Sequence, residues 1–206
     1  MESNNFLLVV AVVAVAISFA GVAITYDSVS LMKNWITGFA ATSGTINLTV
    51  ETSTLINFTT DKINWGSGRV TDQFNATLNT AAGTSNVTGG NFTGNTAGFI
   101  VENLGNVNLS FKLSSAKTAI TLLGGTGAMY QWNVTNNDSN SCKNASTFNL
   151  GQFYDVNITA PGTIICDKFQ PELANDQIRI DIKLVVPSDS ITGVLSDTIT
   201  ASVAAS

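Results

Sequence analysis

Hydrophobic and polar positions divide this chain sharply near its N-terminus. Phe6 to Ile24 is a run of nineteen residues without a charged side chain. At ~1.5 Å per residue it makes a helix of roughly 28 Å, close to the ~30 Å of a bilayer core. Such a run must be buried in lipid or against equivalent segments of other subunits. From Asp27 the pattern becomes one-sided: Val29, Met32, Ile36 and Phe39 recur at helical spacing. No proline interrupts Phe6 to Phe39, and Gly38 sits where such a helix could end. The pattern therefore predicts one helix of about 34 residues, ~51 Å long, apolar all round in its first half and amphipathic in its second.

After about Thr42 the period changes from helical to alternating. Ile178, Ile180, Ile182, Leu184 and Val186 alternate with Arg179, Asp181, Lys183 and Val185, a half-buried strand ended by Pro187. Phe99 to Leu113 reads as a hairpin turning at Asn103–Asn106, with Val107, Leu109, Phe111 and Leu113 on one face. Further strands are expected at Ile46–Val50, Ile56–Thr60, Gly68–Asn75, Met129–Thr135, Val156–Ile158 and Val194–Val203. The expected fold is α+β: a long N-terminal hydrophobic helix over residues 1–40, then an antiparallel immunoglobulin-like β-sandwich head over residues 41–206.

Composition narrows the chemistry. A formal charge of −5 with only nine Lys plus Arg argues against a nucleic-acid partner. The chain has no histidine, so Ser-His-Asp and Cys-His arrangements are excluded outright. Asp155, Asp167, Glu172, Asp176 and Asp181 fall in one region, but their spacing selects no dyad. Asn136, Asp138 and Asn140 alternate like the first ligands of a calcium loop. Ser141 and Thr147 then stand where the loop needs Gly and Glu. Gly124-Gly-Thr-Gly lacks the Lys-Ser/Thr of a phosphate loop and reads as a turn. Trp35, Trp65 and Trp132 are expected to be packing residues. No enzyme activity, cofactor or metal is expected.

Charged residues make up 11% of the chain, under half the usual quarter, so the head needs another route to hydration. Ten Asn-x-Ser/Thr triplets supply one: Asn47, Asn57, Asn75, Asn86, Asn91, Asn108, Asn133, Asn137, Asn144 and Asn157. N-linked glycans on several of them would require a secreted chain. The two cysteines, Cys142 and Cys166, both lie in the head and are expected to form a disulfide there.

A cleaved secretory signal fits the N-terminus poorly, because Met1-Glu-Ser-Asn-Asn carries no base and nineteen residues exceed a signal core. The apolar run, its amphipathic continuation to Phe39 and the sequon-rich β-head together resemble the archaeal type IV pilin and archaellin superfamily. No Lys/Arg-Gly processing site stands before the run, so the resemblance implies a leader already removed or a different processing. The glutamate near the start of many mature pilins has only Glu2 as a counterpart, outside the run. The resemblance implies a subunit held in the membrane before assembly, then polymerised with copies of itself through N-terminal helices into an extracellular cell-surface filament. Adhesion or motility would be its role. Leu7, Leu8, Val10, Val13, Val15, Ile17 and Phe19 are the expected assembly core. The alternative is a monomeric surface binding or adhesion module on one transmembrane anchor.

Overall fold

The computed structural model describes residues 9–21, 48–71, 74–81, 86–94 and 97–206. The chain divides into two compact units, Met1–Thr49 and Val50–Ser206. In the first, residues 9–21 form helix α1. At ~1.5 Å per residue these thirteen residues span about 20 Å. Among the described residues no helix is long and apolar enough to cross a membrane. The stripe Val29, Met32, Ile36 and Phe39 lies outside the described residues.

Among its described residues the second unit has ten strands and one short helix: β1 (Ile56–Thr60), β2 (Asn75–Asn79), β3 (Asn86–Thr88), β4 (Phe99–Asn103), β5 (Leu109–Ser115), α2 (Ala119–Leu123), β6 (Met129–Asn136), β7 (Tyr154–Asp155), β8 (Thr163–Phe169), β9 (Gln177–Pro187) and β10 (Ile199–Ala205). All strand pairs are antiparallel. Seven strands make one sheet, with β1-β4-β9-β2-β3 as its path and β6 and β7 on the other side of β9; β10-β5-β8 make a three-stranded sheet.

β9 organises the larger sheet. Its alternating Ile178, Ile180, Ile182, Leu184 and Val186 are buried, as the sequence pattern predicts, but so are Asp181 and Val185 at the intervening positions. β6 runs along most of its length, Met129 opposite Val185 through Asn136 opposite Ile178. The opposite edge is shared by two strands laid end to end: β4 opposite Gln177–Ile180 and β2 opposite Lys183–Pro187.

At the gap between them a side chain stands in for a strand. The Ile182 amide donates to Thr80 Oγ1 at 2.9 Å, and Thr80 N donates back to the Ile182 carbonyl at 3.0 Å. Thr80 Oγ1 then donates to Asp181 Oδ1 at 2.9 Å, and the Arg179 guanidinium donates to both Asp181 and the Thr80 carbonyl. The next segment also comes close: a Cβ at Gly98 would lie 2.5 Å from the Ile180 carbonyl oxygen and 2.6 Å from Asp181 Oδ1, so only glycine fits there.

The core joins both sheets. Trp132, Phe111, Phe169, Leu109, Leu113, Ile165, Ile178 and Val101 are fully buried, and Phe111 meets Phe169 edge to face at 5.8 Å. Trp132 thus has the packing role expected of it, and Trp65 packs against the core from its border. α2 closes one end with Leu122 and Leu123. A capping box holds its first turn, in which Thr118 accepts from the Thr121 amide while the Thr121 hydroxyl accepts from Thr118 N.

Several expectations are corrected. The α+β expectation with a long helix is not met: among the described residues strand accounts for 38% and helix for 12%, and the two helices there are short. An apolar run sets a preference for helix but fixes no length. The sheets are curled and divide seven against three, so the arrangement is not the immunoglobulin-like sandwich either. Phe99 to Leu113 does not form a hairpin, since β4 joins one sheet and β5 the other. The linking turn bonds elsewhere: Leu104 N donates to the Leu55 carbonyl and Asn106 N to the Ser53 carbonyl. The buried Asn103 side chain bridges the sheets by donating to the Val107 and Phe169 carbonyls. Residues 48–50 and 156–158 are not strands, and Val70 makes an isolated bridge to Gly90 where a strand from Gly68 was expected.

The Thr80–Asp181–Arg179 cluster generates a stability prediction. Asp181→Ala leaves a largely buried guanidinium uncompensated and the Thr80 hydroxyl without its acceptor. It should cost roughly 3–5 kcal/mol, read from the urea midpoint at unchanged slope. A loss below about 1 kcal/mol would show that water replaces the carboxylate there.

Candidate assembly and modification sites

Helix α1 presents large apolar side chains all around its axis. Val10, Val13, Val15, Ile17 and Phe19, all expected in the assembly core, are exposed, from 49% at Val10 to 73% at Phe19. Val9 and Val12 are exposed as well. At ~100° per residue these positions leave no polar face. The helix's serine turns inward on its own backbone, with Ser18 Oγ donating to the Ala14 carbonyl at 2.9 Å. Leu7 and Leu8 lie outside the described residues.

The sequon asparagines separate by environment. Asn57, Asn75, Asn91, Asn108, Asn137 and Asn144 are exposed. Asn57 lies on β1 and Asn108 just before β5. Asn157 is half-buried, its Nδ2 donating to Thr163 Oγ1 and its Oδ1 accepting from Thr159 N. Asn133 is different: it is 7% exposed in the middle of β6, directly opposite Asp181 of β9. A glycan cannot be accommodated there without breaking the sheet. The alternation Trp132, Asn133, Val134 gives no warning, because all three are buried. Asn47 and the side chain of Asn86 lie outside what the structure describes.

Cys142 and Cys166 are joined by a disulfide, with Cα atoms 5.8 Å apart and a sequence separation of 24. Cys166 is fully buried on β8, while Cys142 pairs with Phe169 in an isolated bridge. The segment after Cys142 lies along β8: Lys143 N donates to the Lys168 carbonyl and Asp167 N to the Asn144 carbonyl. The Ser146 amide donates to Asp167 Oδ2 and holds that carboxyl below the usual carboxylate range. The Asn136 side-chain oxygen, first of the calcium-loop positions, instead accepts from the Cys142 amide and Ser141 Oγ and so fastens this loop.

Two polar groups had no sequence signature. A half-open cavity of about 320 Å³ lies under α2, lined by Trp65, Phe99, Leu122 and Leu184. At its polar end Asp197 Oδ2 accepts from the Tyr130 hydroxyl at 3.0 Å and from Ser115 Oγ at 2.5 Å. Burial, with Asp197 beside it, pushes the Tyr130 phenol above its ordinary range, so Tyr130 remains a donor. These residues lie too far apart in sequence for spacing to connect them. Elsewhere Asp176 is 4% exposed, and its Oδ1 has no hydrogen-bond partner. Burial raises its carboxyl pKa, and the carboxylates of Glu102 and Asp138 add to the rise. Among the described residues no cluster of acidic, histidine or cysteine side chains has the arrangement of a metal site.

No family model, curated protein or solved structure matches this chain.

Asp176 gives a pH-dependent prediction. Its folded-state pKa is raised, so the folded chain binds the proton more tightly than the unfolded chain does. Stability is therefore lost as pH rises from the ordinary carboxylate range through the raised value, and stays lower above it. Asp176→Asn removes this penalty. It should raise the thermal midpoint at pH 7, and the gain should vanish in scans at about pH 3, below the ordinary aspartate pKa. An equal gain at both pH values would mean that the charge is not what destabilises the site.

Proposed function

We propose that this chain is a structural subunit of an extracellular cell-surface filament that polymerises through its apolar N-terminal helix and carries a glycosylated β-body outward. The observation that carries the reading is α1, thirteen residues without a charge and with large side chains exposed on every side. Seven of them (Val9, Val10, Val12, Val13, Val15, Ile17 and Phe19) are about half exposed or more. Burying such side chains against neighbouring copies contributes roughly 1.5–3 kcal/mol each before entropy is counted. Copies of one helix are the natural cover for it, since Ala11, Ala14, Ala16 and Ala20 allow close approach.

The rest of the chain agrees with a life outside the cell. A disulfide-bonded β-unit suits an oxidising compartment. Exposed sequon asparagines offer hydration to a surface poor in charge. Attachment and motility are both compatible with this plan. Before assembly the same helix would be sheltered by the membrane.

Val13→Asp tests the reading. It places a carboxylate in the middle of α1, where an unpaired charge cannot be buried cheaply. Filaments should disappear from electron micrographs, while the urea transition of the β-body stays where it was. Filaments of normal length and number would overturn the assembly role of α1. Subunits that remain singly embedded in membrane in the unmutated protein would favour an anchored surface module instead.

Glycopeptide mapping of native protein tests the surface. Carbohydrate is expected at exposed positions such as Asn57, Asn108 and Asn144, with Asn133 unmodified. An intact mass equal to that of the bare 21.6 kDa polypeptide would remove glycosylation from the proposal.

A further inference from the structure

The edges of the two sheets are not treated alike. An open strand edge offers unpaired N–H and C=O groups to any other chain, and proteins usually blunt it with charge, proline, bulges, short strands or cover. β1 carries a register irregularity between Phe58 and Thr60, and a sequon at Asn57. β3 has three residues and β7 has two. β8 is covered by the segment after Cys142, through the Lys143 and Asn144 main-chain bonds to Lys168 and Asp167. Among the described residues β10 has none of these devices. Its seven residues, Ile-Thr-Ala-Ser-Val-Ala-Ala, include no charge, no proline and no sequon, and they pair in unbroken register with β5.

The ladder fixes which groups are open. Ala116 N donates to the Thr198 carbonyl and Ser206 N to the Asn108 carbonyl. Antiparallel alternation between those bonds turns the main-chain groups of Thr200, Ser202 and Ala204 toward β5. Those of Ile199, Ala201, Val203 and Ala205 point away from it, and no described residue pairs with them. Ile199, Ala201 and Val203 direct their side chains to the core, which leaves Thr200, Ser202 and Ala204 on the outer face.

We propose that β10 pairs antiparallel with β10 of a second copy, about a two-fold axis at Ser202. This register engages all four outward residues at once, Ile199 opposite Ala205 and Ala201 opposite Val203, each twice. Shifting the centre to Ala201 or Val203 leaves an outward residue unpaired at one end. Because the strand is uncharged, two copies of a chain with formal charge −5 can meet there without like charges facing each other. The small outer residues put no bulk in the way, and the three-stranded sheets would join into one of six strands.

The symmetry of this contact has a consequence that rests on the filament reading, although the pairing itself does not. A two-fold contact is closed, whereas a helical filament is polar and grows by head-to-tail contacts. β10 pairing therefore cannot propagate along one filament. It joins subunits of two filaments running in opposite directions, or two unassembled subunits.

Single cysteines in the full-length protein test the register. Cys142 and Cys166 are bonded to each other, so an introduced thiol is the free one. At the axis, Ser202 faces its own copy as a non-hydrogen-bonded pair with Cα atoms about 4.5 Å apart, within disulfide range. Ser202→Cys should give a disulfide-linked dimer as the main product of mild oxidation. Thr200→Cys should not, because four residues at ~3.4 Å each separate it from its own copy. A mixture of Thr200→Cys and Ala204→Cys chains should cross-link with each other. Equal dimer yields from Ser202→Cys and Thr200→Cys would overturn the proposal, as would no dimer from either. Loss of filaments in Val13→Asp with the Ser202→Cys dimer retained would show that the two contacts are separate.

Discussion

Strand β9 can hold a sheet on both edges only because Thr80 repairs a break in one of them. β4 and β2 reach β9 from opposite ends and leave the Ile182 amide facing no strand. A buried amide without an acceptor costs about as much as several well-made hydrogen bonds gain. The Thr80 hydroxyl accepts from that amide and donates to Asp181, and Arg179 neutralises Asp181 while binding the Thr80 carbonyl. Each group in the cluster is satisfied by another member, so the cluster holds as a unit. Removing any one exposes the rest to a penalty they otherwise avoid.

The same logic of backbone satisfaction explains how two unequal sheets share one core. Asn103 ends β4 with its side chain buried and its amide donating to carbonyls of Val107 and Phe169, so the first sheet is tied directly to β8 of the second. The adjoining turn is held by Ser53 and Leu55 as well as by its own Gly105–Asn103 bond. That is why a segment with every local mark of a hairpin becomes a crossover. Tertiary hydrogen bonds outweigh turn chemistry here.

Legibility followed the range of the forces involved. β1, β6 and β9 could be read from alternation to within a residue or two, since burying one face leaves a period of two in the sequence. Residues 163–169 gave no such signal: Thr-Ile-Ile-Cys-Asp-Lys-Phe breaks alternation where the register shifts against β5. α2 has five residues, too few to display a helical period. Arg179 and Asp181 stand two apart in β9, a spacing that places them on one face and hints at a pair. The disulfide could be inferred from a count of two, whereas the Tyr130–Asp197 contact, spanning 67 residues, left no local trace. Burial of Asn133 was equally hidden, because a sequon records chemistry and says nothing about neighbours.

The order of pairing has a consequence for how this protein reaches its native state. β2 finds its partner across Leu78 to Leu184, β4 across Val101 to Ile178, and β5 across Leu113 to Ala201. Neither sheet can close until the last quarter of the chain is present, so contact order is high and early segments have little to fold against. A chain emerging N-terminus first would stay extended until nearly complete. Until then its apolar strands stay open to solvent, to proteases and to other chains.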